Sequence, residues 1–189
     1  PTTLVLGPST DWRAQTHPGC QAVYRVLPWP DGRTVELRAD FNPTDLQLRQ
    51  GEAVVFATQS ASRSTDTTTF RVDSLSMEIR CPPELELQFF VKDDAWNSEY
   101  WSLPNAETED WQSLHLQLAA AASKYRSPGF DERRVIAVGW QFLSTTKRGP
   151  VTVLLRNVKL IVSPTNALRP VVRVSKGEFA GNCGVDTRM

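Results

Sequence analysis

ELELQFFVKDDAWNSEYWSL, residues 84–103, decides the reading of this chain. From Leu85 to Val91 apolar side chains alternate with others: Leu85, Leu87, Phe89 and Val91 fall on one side, Glu86, Gln88, Phe90 and Lys92 on the other. That is the period of a half-buried β-strand. The polar run Lys92 to Ser98 leads into Glu99-Tyr100-Trp101-Ser102-Leu103, which predicts a hairpin with a long, decorated connection. The side expected to face water carries Gln88, Phe90 and Lys92, and the loop adds Asp93, Asp94, Trp96 and Asn97. Flat apolar surface thus stands beside amide and charge. Sugars have apolar CH faces and a rim of hydroxyls, so sites that bind them combine aromatic platforms with a few planar hydrogen-bonding groups. The same residues also fit a sheet face that is merely solubilised, because scattered exposed aromatics are ordinary.

The rest of the chain repeats the strand signal. Thr2 to Leu6, Cys20 to Leu27, Thr34 to Phe41, Glu52 to Thr58 and Phe70 to Arg80 read as strands, with a slip at Asp73-Ser74 that predicts a bulge. Cys20–Leu27 and Thr34–Phe41 form a second expected hairpin around Pro28-Trp29-Pro30-Asp31-Gly32. Further on, Trp111 to Leu118, Val135 to Leu143 and Val151 to Val162 alternate in the same way. Within Val135 to Leu143, Ile136, Val138, Trp140 and Phe142 share one face. The small residues Ala137 and Gly139 leave a trough beside Gln141 on the other. Gly7-Pro8 and the polar Ser9-Thr10-Asp11 close the first strand, Gln15 to Gly19 read as loop, and Ala119 to Arg126 has the one plausible helical composition. Nine or ten strands with almost no helix predict an all-β sandwich over residues 1–163. Beyond Pro164 the pattern decays into an irregular C-terminal tail, a linker or the start of a following domain.

Composition bounds the function. A chain of 189 residues suffices for one core, and 21 acidic against 21 basic residues leave no net charge. This argues against nucleic acid and anionic membranes as partners, since both are held by concentrated positive charge. No apolar run reaches membrane-spanning length. Cys20, Cys81 and Cys183 lie too far apart in sequence for a close-pair zinc motif, and their pairing stays open.

Catalytic patterns are sparse. His17 and His115 are distant from each other, and G-x-S-x-G, H-E-x-x-H and phosphate-cradling glycine loops are missing. Acid pairs such as Glu84 with Glu86, or Asp93 with Asp94, point to opposite faces of a strand or into solvated loops, unlike the converging carboxylates of glycosidases. Glu36-Leu37-Arg38 is similar to the E-L-R of some jelly-roll polysaccharide lyases, without the elements that accompany it there. The expectation is a protein that is not an enzyme.

From residue 85 onward the order of elements carries a family resemblance. Phe90-Val91-Lys92-Asp93, the Trp-led Trp111-Gln112-Ser113-Leu114, Ile136-Ala137-Val138-Gly139-Trp140-Gln141-Phe142 and Leu155-Arg156-Asn157-Val158-Lys159-Leu160 resemble the second half of galactose-binding-domain-like jelly rolls. These serve as carbohydrate-binding modules of glycoside hydrolases. The resemblance implies a jelly roll that recognises a polysaccharide without cleaving it, joined to a catalytic domain in a secreted, extracellular or periplasmic parent enzyme. In such modules the acid before the Asn of the last strand often helps bind a structural calcium. Here that position is Arg156, which disfavours the ion, so no cofactor is expected, and Arg156 is expected to pair with an acid such as Asp11 or Asp40.

Two sites follow from the resemblance. A sheet-face site would use Gln88, Phe90, Lys92, Tyr100 and Gln141; a loop site would use Asp94, Trp96, Asn97 and Trp29. Trp12 and Trp101 suit either, while Trp111 and Trp140 are in register with core positions. The alternatives are an accessory sandwich that packs on a catalytic domain without binding sugar, and a lyase acting on an acidic glycan.

Overall fold

Alternation of this kind becomes twelve strands in the computed structural model, which describes residues 2–6, 11–16, 20–27, 34–41, 51–58, 69–105, 108–144 and 149–165. In chain order they are β1 (Thr2–Val5), β2 (Asp11–Thr16), β3 (Cys20–Leu27), β4 (Thr34–Phe41), β5 (Gly51–Thr58) and β6 (Thr69–Arg80). Then follow β7 (Glu86–Asp93), β8 (Ser98–Ser102), β9 (Gln112–Gln117), β10 (Tyr125–Arg126), β11 (Val135–Ser144) and β12 (Gly149–Thr165). A 3-10 turn at Glu132–Arg134 leads into β11.

All pairings are antiparallel and group the strands into two layers. One runs β10-β8-β7-β11-β5-β2. The other runs β9-β6-β12, with β1 and β4 sharing the far edge of β12 and β3 outside β4. A single pairing, Val135 with Phe70, joins the layers. Both inner faces meet in one apolar cluster: Phe89, Trp101, Val138, Trp140 and Phe142 from the first, Leu37, Leu75, Ile79, Val153 and Leu155 from the second. Phe89 and Trp140 approach to 5.5 Å between ring centroids, and Trp12 and Trp140 to 5.9 Å. This is the expected all-β sandwich, with both expected hairpins in place.

The slip in β6 is a bulge at Asp73. The register of β12 on β6 steps from Ser74 to Val72, and the carboxylate of the skipped residue accepts hydrogen bonds from Ser163 Oγ at 2.5 Å and Arg71 Nε at 2.8 Å. Burial acts to raise the Asp73 pKa, but these two bonds outweigh it and hold the group below its ordinary value. A second bulge lies in β12, where Asn157 takes a positive φ of 54°. That conformation is tolerated by Asn better than by most side chains.

Several expectations are corrected. Residues 119–126 contain no helix: Lys124 N donates to Tyr100 O at 2.7 Å and Ser127 N to Ser98 O at 2.8 Å, so the segment is held along β8 as β10. Tertiary pairing here overrides alanine's helical preference. Asp11–Thr16, whose ends fall in the expected polar closure at Asp11 and the expected loop from Gln15, is strand β2 on the edge of β5. Trp12 and Trp101 are 1% and 4% exposed and belong to the core, so neither is a platform on the outer sheet face; Trp140 is core as expected. Trp111 is not in the core: the Arg156 guanidinium lies 3.9 Å from its ring centroid. Arg156 does not pair with Asp40, and the Asp11 side chain lies outside the described residues. Arg156 sits in register with Glu78 and donates from Nε at 2.7 Å, whereas Asp40 lies opposite Pro150 and Asp11 belongs to the other layer. Asn157 Nδ2 also donates to Glu78, at 2.6 Å. Residues 166–189, Cys183 and the side chain of Cys20 lie outside the described residues, so the tail and the cysteine pairing are not placed; Cys81 is a buried free thiol.

Candidate functional site

The strand pleat sends Glu86, Gln88, Phe90 and Lys92 to the face of β7 that looks away from the core. Cross-strand register then assembles their neighbours. Phe90 lies between Tyr100 on β8 and Gly139 on β11, and Tyr100 pairs onward with Tyr125 on β10. Ring centroids are 5.2 Å apart for Phe90 and Tyr100, and 6.1 Å for Tyr100 and Tyr125. Three rings on three adjacent strands thus form a row. Gln88 lies between Ser102 and Gln141, and Lys92 between Ser98 and Ala137. Ala137 and Gly139, where a trough was expected, are buried beside the row, as is Gln141.

Phe90 is 2% exposed, not water-facing as expected. Tyr100 and the Lys92 ammonium, 5.7 Å away, stand against the ring. Gln88 and Gln141 are also buried, at 8% and 5%. Gln88 Nε2 donates to Glu86 Oε1 at 2.8 Å, which in turn receives Lys124 Nζ. The Lys124 bond, against some burial, holds the Glu86 carboxyl below its ordinary value. The half-buried groups of this face are Tyr100, Tyr125, Lys92 and Trp96, with Lys92 Nζ 5.6 Å from the Trp96 ring.

The turn after β7 is built on one carboxylate. Asp93 is 2% exposed and accepts four hydrogen bonds, from Ala95 N and Asn97 N at 2.9 Å, Asp131 N at 3.1 Å and Asn97 Nδ2 at 3.2 Å. This scaffold holds Trp96 at a positive φ of 63° and places its ring by Lys92. Of the loop-site residues, Asn97 spends its amide on Asp93 and on Gly129 O, and Asp94 is ion-paired with Arg134 at 2.5 Å. Both hold the loop's shape. Trp29 lies outside the described residues. Of the two expected sites, Trp96 is the residue that joins them. Tyr125, Glu86 and Lys124 escaped sequence reasoning. Glu86 shares the parity of Gln88 and was there to be found; a two-residue strand carries no periodicity, so Tyr125 and Lys124 were not.

The position before Asn157 does not fit a cation: the Arg156 guanidinium is there, engaged by Glu78 and Trp111. The E-L-R residues Glu36 and Arg38 form a 2.8 Å ion pair with each other.

No protein-family model matches the chain, and no curated protein matches it. Solved structures do. The family 11 carbohydrate-binding module of the cellulosomal cellulase Lic26A-Cel5E of Clostridium thermocellum superposes with a TM-score of 0.58 at 11% identity, over 86% of this chain and 95% of that one. A family 11 module from Clostridium thermocellum in complex with a β-1,3-1,4-mixed-linked tetrasaccharide gives 0.56 at 13% identity, over 84% and 95%. The solution structure of CtCBM11 gives 0.54 at 13% identity, over 85% and 95%. At such identities the likeness is one of fold, and it is the jelly roll expected from the sequence.

Proposed function

We propose that this chain is a non-catalytic carbohydrate-binding module that holds a polysaccharide across the outer face of the β10-β8-β7-β11 layer. The observation that carries this reading is the row Phe90–Tyr100–Tyr125, with Trp96 and Lys92 at one side of it. A pyranose ring presents CH groups on one face, and stacking on Tyr100, Tyr125 or Trp96 removes that face from water while its rim stays free for hydrogen bonds. Gln88, Gln141 and Lys92 supply amide and ammonium groups beside the rings, and Phe90 is the floor on which Tyr100 rests. Asp94 and Asn97 act through the loop that carries Trp96. A module of this fold binds a mixed-linked tetrasaccharide, which supports a polysaccharide as the ligand. In the parent protein the module serves a secreted glycan-degrading enzyme by keeping it near its substrate.

Native gels containing neutral and acidic polysaccharides test the reading. One or more should retard the chain, and Tyr100→Ala should abolish the retardation. Trp96→Gly, which relieves the positive φ, should weaken it with no loss of stability. Retardation that survives both substitutions would remove the sheet face from consideration, and no retardation across the panel would favour an accessory domain without sugar binding.

A further inference from the structure

On the core side of β8, opposite the ring row, a cleft of about 290 Å³ opens between the two layers. Its lining combines the rings of Trp101 and Phe130 with three carboxylates and two guanidiniums: Glu99 and Glu132 stand by Arg126, and Asp73 by Arg71. Each guanidinium is engaged by a carboxylate, and one acid is in excess. Arg126 Nη1 donates to Glu99 Oε2 at 3.1 Å and Arg71 Nε to Asp73 Oδ1 at 2.8 Å. The cleft therefore offers polarity with one carboxylate in excess, which disfavours an anion and suits a neutral ligand rich in hydroxyls.

Glu99 is the group that turns this cleft into a candidate site. It is 7% exposed, yet among the described residues only its Oε2 has a partner. Its Oε1 is not wholly buried and opens to the cleft, where water or a ligand hydroxyl can donate to it. The Arg71 guanidinium likewise engages its protein partner through Nε, leaving its Nη groups as donors among the described residues. An acceptor, a pair of donors and an apolar wall that includes two rings thus converge on a space at the small end of ligand-pocket sizes. Such a space takes one ring, not a chain.

We propose that this cleft is a second binding site, for a single neutral pyranose such as the terminal residue of a glycan. A ligand hydroxyl donates to Glu99 Oε1, ring or hydroxyl oxygens accept from Arg71, and the CH groups of the sugar lie against Trp101 and Phe130. The site does not depend on the sheet-face reading, because Glu99 and Tyr100, adjacent in β8, point to opposite faces.

The test is titration of the isotope-labelled 189-residue chain with glucose, galactose, mannose and xylose, read by backbone amide chemical shifts. At least one should give saturable shifts at Glu99, Arg126 and Phe130 that persist in Tyr100→Ala. Glu99→Ala should weaken that sugar about tenfold, the loss of one hydrogen bond to a charged group. Arg71→Met, at a side chain 48% exposed, should weaken it with the fold intact. Shifts confined to the sheet face, binding unchanged in both variants, or no saturable shift with any of the four sugars would each overturn the proposal.

Discussion

Replacing Asp93 tests whether one carboxylate builds the turn that carries Trp96. Its four accepted bonds come from three backbone amides and one side-chain amide. Hydrogen bonds to a buried charged acceptor are worth ~1.5–3 kcal/mol each, and part of that is recovered where water reaches the freed donor. Ala95 is exposed and Asn97 half-buried, so their amides regain water in Asp93→Ala, while Asp131 N, also half-buried, loses its acceptor. The expected net loss is about 4 kcal/mol, a large share of the 5–15 kcal/mol typical of a domain. Asp93→Asn keeps the Oδ1 acceptor but turns an NH2 group toward Asp131 N and Asn97 Nδ2. The Asn97 amide can rotate to offer its oxygen and a backbone N–H cannot, so the expected loss is about 2 kcal/mol. Urea denaturation followed by tryptophan fluorescence measures both. The order alanine worse than asparagine, with unchanged m-values, is the expected result. If both variants lie within about 0.5 kcal/mol of the parent, as ordinary surface substitutions do, the turn is held by something else and the reasoning fails.

Further expectations concern acid, core and thiol. The Arg156 bond, followed by that from Asn157, holds Glu78 below its ordinary 4.5, so its contribution is complete above that value and is lost as pH falls through the lower folded value. Arg156→Met should therefore flatten the stability loss below pH 4.5, which acid titration of the urea midpoint would reveal; an unchanged acid limb would contradict the pairing. Phe89→Ala empties a wholly buried site between Trp101 and Trp140 and should cost about 4 kcal/mol by urea midpoint, with a loss under about 1 kcal/mol counting against the core assignment. Burial pushes the Cys81 thiol up to about 11, so a thiol reagent at neutral pH should label it only in denaturant. Fast labelling of the native chain would show that this part of the core opens.

Much of the fold was legible because strand structure is local. Side chains of a pleated backbone alternate by geometry alone, so Leu87, Phe89 and Val91 declare an inner face and Gln88, Phe90 and Lys92 an outer one without knowledge of any partner. The same logic exposed the bulge at Asp73, where alternation slips by one residue. Short elements defeated it: Asp11–Thr16 is polar and Tyr125–Arg126 spans two residues, too few to show a period. Depth of burial was also beyond reach. Phe90 and Lys92 share a parity, yet Phe90 is 2% exposed with the Tyr100 ring against it while Lys92 is half-buried, a difference set by neighbours on other strands.

By itself, then, the order of residues determined an all-β sandwich, its two hairpins and which residues of each long strand share a face. Tertiary structure alone decided that Tyr125 extends the ring row, that Trp12 and Trp101 are core, that Arg156 meets Glu78, and that Glu99 borders a cleft. The physical reason is range. The direction of a side chain is set by its own φ and ψ, whereas its neighbours are set by strand registers that join residues dozens of positions apart.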